Sequence, residues 1–568
     1  MKTRLRSLAA LAALALALTA PVPAHAAHSQ VSFFEDDPGT FYDPVGFFQQ
    51  LRLLGAGNVR VPVRWNSVLP GWGGYRRPPR FNASDPASSR YNWAIYDRVV
   101  RVAQQFGIGV TFDVMGPAPL WATGRGSAGH ANWEPSAREY ASFVRAVGTR
   151  YSGSFDPNLK RTVPGDPNDL PRVSSWSIWN EPDYGPSLAP QGLPGHLTID
   201  FAPRQYRGLV DAAWGALAAT GHRTGGRHGD TILFGELAPR GEPYWGVFSG
   251  MTPMLFLRSL YCLDSRYRPL RGSAAAVRGC PTTAAGRRGF RRAHPGLFSA
   301  SGLAIHPYMR WYAPNHEPSP DPVTHQSTAD YASMGFMGRL ERGLDRMQRV
   351  YGSRLRLPIY NTEFGYITSP PKRPRVPRGC GTGYPYASPS TAAYYLNWAE
   401  YLSWRDPRVK SFMQYLLQDP LPSLCSNNFG GYASGLITYG GVKKPTYYAW
   451  RLPIFLPVTS TRRGRTLEVW GCARPAHYAL FEDLGPQYVQ IQSAPGSNPR
   501  SGAFTTVESI QINNPNNCYF DVRVPFPGHG KQTVRLVWSY PVADPNGYFD
   551  PLHPGGTAYS RQVVVNLR

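Results

Sequence analysis

From about Gln30 to Leu456, short β-rich runs alternate with longer stretches whose apolar positions recur at helical spacing. That alternation predicts repeated strand–helix units on a parallel sheet. Eight runs read as strands: Val31–Phe34, Asn58–Val63, Gly107–Val114, Ser174–Trp179, Thr231–Gly235, Gly302–His306, Leu357–Asn361 and Ser411–Leu416. Between them, Pro44–Leu54, Tyr96–Phe106, Pro135–Tyr151, Phe201–Ala219, Pro253–Cys262, Ala329–Tyr351 and Thr391–Trp404 read as helices. Eight such units close most simply into an α/β barrel of the (β/α)8 type. After Pro457 the pattern changes to short alternating runs, such as Thr466–Trp470, Tyr488–Gln492 and Thr533–Val537, separated by Gly, Pro and Asn turns. These predict a small β-sandwich packed directly on the barrel. The expected organisation is residues 1–26 as a leader, 27–456 as the barrel and 457–568 as the sandwich.

Length supports this division, because 568 residues exceed one ordinary domain unless it is a barrel with large insertions. Hydrophobic residues at 42% and aromatics at 13% exclude a mainly disordered chain. The formal charge of +24 is spread along the sequence. It favours attraction to anionic walls or acidic polysaccharides and gives nucleic-acid binding little support.

The N-terminus addresses the compartment. Lys2, Arg4 and Arg6 precede the apolar run Leu8–Leu18, and Ala24-His25-Ala26 follows as a small-x-small site. This has the form of a secretory signal peptide, so a secreted protein without a later membrane span is expected. An exported chain favours disulfides for its six cysteines. Their order suggests Cys262 with Cys280, Cys380 with Cys425 and Cys472 with Cys518, although six cysteines allow about 15 connectivities. There is no CxxC spacing and no HExxH among the 13 histidines, so no metal or other cofactor is expected.

Chemistry in a parallel barrel sits at the C-terminal strand ends, where the following loops form the open cleft. Two carboxylates draw attention there. Glu181 ends Ser174-Ser175-Trp176-Ser177-Ile178-Trp179-Asn180-Glu181-Pro182, and Glu363 ends Pro358-Ile359-Tyr360-Asn361-Thr362-Glu363-Phe364-Gly365. They close the fourth and seventh predicted strands. A pair of carboxyl groups about 5–5.5 Å apart is what retaining glycoside cleavage requires, one to protonate the leaving oxygen and one to attack the anomeric carbon. Taken alone, either Glu also suits an ordinary strand end or helix start.

Together these motifs resemble the clan A glycoside hydrolases, with families 5, 39 and 51 nearest in style. The resemblance implies that Glu181 is the acid/base, Glu363 the nucleophile, and Asn180 a ligand of the sugar 2-hydroxyl. In Asn58-Val59-Arg60-Val61-Pro62, it makes Arg60 the cation that helps keep the nucleophile ionised. In Ala304-Ile305-His306-Pro307-Tyr308, it places His306 beside the sugar and Tyr308 on the nucleophile. Pro117-Ala118-Pro119-Leu120-Trp121 is similar to a run in family 39, and Trp121 is a candidate sugar platform or, equally, a core tryptophan. At strand eight, where the clan usually offers Trp, this chain has Met413-Gln414-Tyr415-Leu416, and Tyr415 is the candidate replacement.

Two basic regions fall in loops. Arg287, Arg288, Arg291 and Arg292 lie in the stretch Cys262–Ser299, which follows a helix and so belongs on the barrel's far face as a solvated or wall-facing patch. Lys372, Arg373, Arg375 and Arg378 follow strand seven. A Cys380–Cys425 link would fix them as a rim favouring anionic glycans. The expected function is a secreted retaining glycoside hydrolase acting on a poly- or oligosaccharide. The competing readings are a transglycosylase and a non-catalytic carbohydrate- or wall-binding barrel. The C-terminal unit is expected to support the barrel more than to bind sugar.

Overall fold

The computed structural model describes residues 30–124, 130–226, 229–242, 246–368, 386–420, 432–482, 484–513, 518–540 and 556–568. The leader, the basic rim and the Cys380–Cys425 pair lie outside the described residues. Eight parallel strands close a barrel: β1 (Val31–Glu35), β2 (Asn58–Arg64), β3 (Gly109–Met115), β4 (Ser175–Ile178), β5 (Thr231–Leu237), β6 (Gly302–Ile305), β7 (Ile359–Asn361) and β8 (Val409–Tyr415). Each strand pairs with its sequence neighbours, and β1 closes the ring on β8 from Val31 opposite Ser411 to Glu35 opposite Tyr415.

Around the barrel run α1 (Pro44–Leu54), α2 (Ala94–Gln105), α3 (Ala137–Arg150), α4 (Ala202–Ala219), α5 (Pro253–Leu260), α6 (Met337–Val350), α7 (Pro389–Arg405) and α8 (Pro445–Arg451). Their ends follow local chemistry. Asp43 accepts the Gly46 N–H at 3.1 Å, Pro44 opens α1 and left-handed Gly55 closes it. Ser388 and Pro389 start α7 in the same way. The helix expected from Ala329 begins only at Met337. Asp330 is drawn into a two-point pair with Arg258, and Ser333 donates to Glu317, so these residues fold as a turn instead.

The stretch 263–299 is more ordered than a loop, with short helices at Gly272–Val277, Ala284–Ala293 and Pro295–Ser299 and a Cys262–Cys280 disulfide. It enters β6 at its N-terminal end, away from the cleft. Arg288, Arg291 and Arg292 are exposed and Arg287 is half-buried.

Beyond the barrel, β9 (Ile454–Phe455), β11 (Thr466–Cys472) and β14 (Tyr519–Pro525) form one sheet. The other comprises β10 (Ser460–Thr461), β12 (Gln487–Pro495), β13 (Thr505–Ile512), β15 (Gly530–Ser539), β16 (Thr557–Tyr559) and β17 (Val563–Leu567). Val469, Val524, Val489, Ile491, Leu536 and Trp538 from both sheets bury one shared apolar core, the sandwich arrangement. A Cys472–Cys518 disulfide links the end of β11 to the start of β14. The two units meet through Tyr401, Trp404, Phe455 and Trp470, with α7 supplying the barrel side. No helix among the described residues is long and apolar enough to cross a membrane.

Candidate active site

The C-terminal mouth of the barrel opens into a cleft of about 550 Å³ whose lining includes Arg60, Asn180, Glu181, Tyr308, Glu363 and Tyr415. Arg60 projects from the middle of β2 and is 1% exposed. Its Nη1 donates to Glu363 Oε1 at 2.8 Å and to Glu35, while Nη2 donates to Asp113 Oδ2 at 2.8 Å and Asn180 Oδ1 at 2.7 Å. Glu236 Oε2 lies 3.2 Å from the same Nη2. One guanidinium thus faces four carboxylates. Because arginine has only donors, the Asn180 oxygen must be the atom turned toward it, which leaves the Asn180 amide N–H groups for a ligand hydroxyl.

His306 joins the two carboxylates singled out by sequence. Its Nδ1 lies 3.0 Å from Glu181 Oε1 and 3.5 Å from Glu363 Oε2, and its Nε2 lies 2.7 Å from Glu236 Oε2. Burial alone would lower the imidazole pKa. Glu363, Glu181 and Glu236 outweigh it and hold the ring well above its ordinary value, as an imidazolium donating from both nitrogens. One ligand atom each of Glu181, His306 and Glu363 falls within 4.8 Å of the others. Tyr308 donates to Glu363 Oε2 at 3.0 Å.

The trio could in principle grip a cation. The charges around it argue otherwise, since Arg60 already touches Glu363 and both His306 nitrogens are engaged by carboxylates. A second cation would enter beside a fixed guanidinium and displace a proton from a ring that strongly retains it.

The backbone makes these positions unusual. Glu181, three residues beyond β4, and Glu236, near the end of β5, take left-handed backbone conformations, with φ of 40° and 47°, and the Glu181 N–H donates to the Glu236 carbonyl at 2.8 Å. Non-glycine residues there cost on the order of 1 kcal/mol each. The adjoining ends of β4 and β5 are locked together by that bond, so the two carboxylates are held from behind as well as by their side chains.

Six of the eight residues expected at the site meet at this mouth: Arg60, Asn180, Glu181, His306, Tyr308 and Glu363. Tyr415 joins them on the cleft wall, with its ring 5.5 Å from that of Tyr432. Trp121 does not. Its Nε1 donates to the Trp72 carbonyl at 3.0 Å, and its ring packs edge-on against Trp65 and Phe81. The candidate sugar platform is therefore part of an aromatic cluster flanking β3, and Tyr432, which stacks on neither carboxylate but packs 5.0 Å from Tyr308, provides aromatic surface instead.

Arg60 does pull the Glu363 carboxyl toward its ionised form, but it does not prevail. Burial outweighs His306 and Arg60 and leaves the Glu363 carboxyl above its usual value. The reason is that Arg60 is shared. Burial drives Glu35 and Asp113 up to about 8 against the pull of Arg60, whereas in Glu236 the pull of Arg60, then of His306 and Ser177, overcomes burial and holds it at about 2. Glu236 is held as an anion and also accepts from Thr362 at 2.8 Å.

Glu35, Asp113 and Glu236 are the functional residues that sequence reasoning missed. Two had a usable signal: the predicted first and fifth strands stop at Phe34 and Gly235, and the next residue in each case is a glutamate that the strand in fact includes.

No protein-family model matches the chain, and no curated protein does. Among solved structures it is similar to a family 39 glycoside hydrolase from the gut symbiont Bacteroides cellulosilyticus WH2, at 13% identity over 87% of this chain and 81% of that one, with a TM-score of 0.44. It is also similar to a glucosidase from Croceicoccus marinus, at 12% identity over 88% and 94% of the two chains with a TM-score of 0.43. A family 1 β-glucosidase from Thermotoga maritima follows at 15% identity over 72% and 85%, with a TM-score of 0.41. Likeness this distant leaves the functional argument to the barrel and its site.

Proposed function

We propose that the protein is a secreted glycoside hydrolase that cleaves O-glycosidic bonds of a poly- or oligosaccharide by double displacement. The observation that carries this is the approach of Glu181 and Glu363 to within 4.8 Å, oxygen to oxygen, across an open cleft. That is the close spacing of the retaining mechanism and leaves no room for the water an inverting enzyme places between its carboxylates.

In this reading Glu181 protonates the departing oxygen as Glu363 attacks the anomeric carbon, and a glycosyl ester forms on Glu363. Glu181, now ionised, takes a proton from the incoming water, whose oxygen displaces Glu363. Tyr308 and Arg60 bind the Glu363 carboxylate, which attacks in the first half-reaction and leaves in the second. The amide N–H groups of Asn180 are positioned for the 2-hydroxyl of the bound sugar. The His306 imidazolium hydrogen-bonds Glu181 and holds its carboxyl group in place for both half-reactions.

The test is intact-protein mass spectrometry after incubation with 2-deoxy-2-fluoro glycosides bearing activated leaving groups, across a panel of sugars. A stable adduct on Glu363, absent from Glu363→Gln, is expected. Turnover of a glycoside with inversion at the anomeric centre, followed by NMR, would overturn the double displacement. A transglycosylase shares every residue named, and added acceptor sugars would reveal it through transfer products.

A further inference from the structure

The wall of the cleft formed beyond β5 and β6 carries two arginines that the proposed chemistry does not use. Arg240 follows β5 and Arg310 follows β6, and both line the cleft together with Glu181 and Glu363. Each is held from behind by an acid of one segment. Arg240 Nε donates to Glu317 Oε1 at 2.6 Å, and Arg310 Nη1 donates to Asp321 Oδ1 at 2.9 Å.

Those acids are themselves fixed. Glu317 accepts from Ser333, and Asp321 accepts the N–H groups of Val323 and Thr324 and the hydroxyl of Tyr331. Neither acid lines the cleft. The Arg240 guanidinium is only partly used: Nε is taken by Glu317 and Nη2 is enclosed by protein, which leaves Nη1 as the nitrogen that can face the cleft from a side chain 12% exposed. A guanidinium immobilised in this way, with one nitrogen toward the cleft, is suited to a carboxylate or sulfate oxygen.

We propose that Arg240, with Arg310 beside it, forms a subsite for an anionic substituent on the bound glycan, a uronic-acid carboxylate or a sulfate ester. This rests on the glycosidase reading of the same cleft and names its substrate class. The overall charge of +24 acts in the same sense, drawing polyanionic chains toward the molecule before the cleft selects them. A solvated basic surface alone would give the attraction without selectivity, and the tethered guanidinium supplies the selectivity. Arg240 is a specificity residue, because it binds a group remote from the bond that breaks.

The test pairs aryl glycosides that differ only at C6: glucuronide with glucoside, galacturonide with galactoside, and iduronide with idoside, each series joined by the hexoside 6-sulfate. Wild type is expected to prefer one acidic member over its neutral partner about tenfold or more in kcat/KM, mainly through KM. In Arg240→Met/Glu317→Gln, which removes both charges and so spares the fold an unpaired buried acid, that preference collapses while turnover of the neutral partner stays within about threefold. Arg240→Lys keeps the charge without the fork and should fall between.

Free uronates and hexose 6-sulfates titrated into Glu363→Gln by NMR separate this proposal from the enzymatic one. Arg240-dependent binding with no turnover of any pair sustains the subsite and overturns the hydrolase reading. Equal handling of acidic and neutral members in both turnover and binding, or a preference unchanged in the double variant, overturns the subsite. Preference for the sulfate over the carboxylate, lost with Arg240, identifies a sulfated glycan.

Discussion

Two buried arginines, in two parts of the molecule, meet carboxylates in opposite ways. Arg474, just beyond β11, sends Nη2 to Glu400 Oε1 on α7 at 2.6 Å and Nε to the Trp450 carbonyl at 3.0 Å, and its guanidinium lies 3.9 Å from the Trp450 ring centre. Tyr519 adds a hydrogen bond of 2.8 Å to the same glutamate oxygen. One cation serves one carboxylate, both are within 1% of full burial, and the pair joins sandwich to barrel. Arg60 instead serves Glu35, Asp113, Glu236 and Glu363, and two of the site's acids, Glu181 and Glu363, keep 22% and 12% of their side-chain surface open to the cleft. The lesson is one of stoichiometry and access. A sealed one-to-one pair holds elements in place, whereas a cation outnumbered by acids leaves protons to be moved, and an open side lets a substrate take part.

The largest effect expected from this contrast is on turnover. Glu181→Gln keeps the shape of the mouth and removes the proton that the leaving group needs. It should cut kcat/KM by about 10²–10⁴-fold on substrates with poor leaving groups, and far less on dinitrophenyl glycosides, which need no protonation. The same substitution at Glu400 should leave turnover per folded molecule within about twofold. Steady-state kinetics on both variants, with both leaving groups, checks the division. An equal loss in the two variants would mean that the buried pair also tunes the site.

Stability should show the reverse order. Glu400→Gln strands the Arg474 charge between barrel and sandwich, and about 3–5 kcal/mol of stability should be lost in denaturant titration. Glu363→Gln, in a cluster with too many acids, should cost less than about 1 kcal/mol or stabilise the fold. If both variants were destabilised alike, the surplus of acid around Arg60 would not be a stored cost.

The pH dependence of stability sharpens the same point. Glu35 and Asp113 titrate near 8 in the folded protein and His306 well above its ordinary value, so the native state holds their protons more tightly than the unfolded chain does. For all three, stability is fully present at low pH and is lost as pH rises from the unfolded values toward the folded ones. Between about 4.5 and 8, each buried carboxyl removes up to about 1.4 kcal/mol per pH unit. Glu236, held near 2, has the opposite sign and withdraws stability only as pH falls below its unfolded value. Glu35→Gln and Asp113→Asn mimic the protonated forms, so thermal unfolding followed from pH 5 to 8.5 should show a flatter decline than in wild type. An unchanged slope would place the excess negative charge elsewhere.

Much of this was legible in the chain. All eight strands were placed within two residues at either end, because buried apolar runs flanked by turn residues are local signals. Glu181 and Glu363 stood out through their motifs, and the barrel then brought Arg60, Asn180, His306 and Tyr308 to them. What escaped depended on distance in sequence. Nothing local marks Glu236 as the partner of His306, 70 residues away, or reveals that Glu35 and Asp113 compete with Glu363 for Arg60. The choice between platform and core for Trp121 was open for a similar reason: its indole is claimed by the Trp72 carbonyl, in a loop that folds back from β2. The arginines of the cleft wall were equally silent, since their meaning comes from Glu317 and Asp321 standing behind them.

The smallest of these effects tests how finely the open region is set. Tyr308 donates its hydroxyl to Glu363 Oε2, and that oxygen is also 3.5 Å from His306 Nδ1, so in Tyr308→Phe the carboxylate keeps Arg60 and the imidazolium but loses one neutral donor. A single hydrogen bond to a charged acceptor is worth about 1.5–3 kcal/mol, or roughly 10- to 150-fold in rate if it is fully expressed in the transition state. Because Tyr308 also binds Glu363 when it is free, part of that loss falls on the ground state, and a reduction near tenfold in kcat is expected. The acid limb of kcat/KM should move to higher pH, since the donor stabilises the ionised form. A sealed pair would show neither change: removing the Tyr519 hydroxyl from Glu400 should lower stability and leave the pH profile of turnover where it was. If Tyr308→Phe behaves in that second way, Glu363 is held as a structural acid, and the distinction between the two arginine sites fails at its most exposed carboxylate.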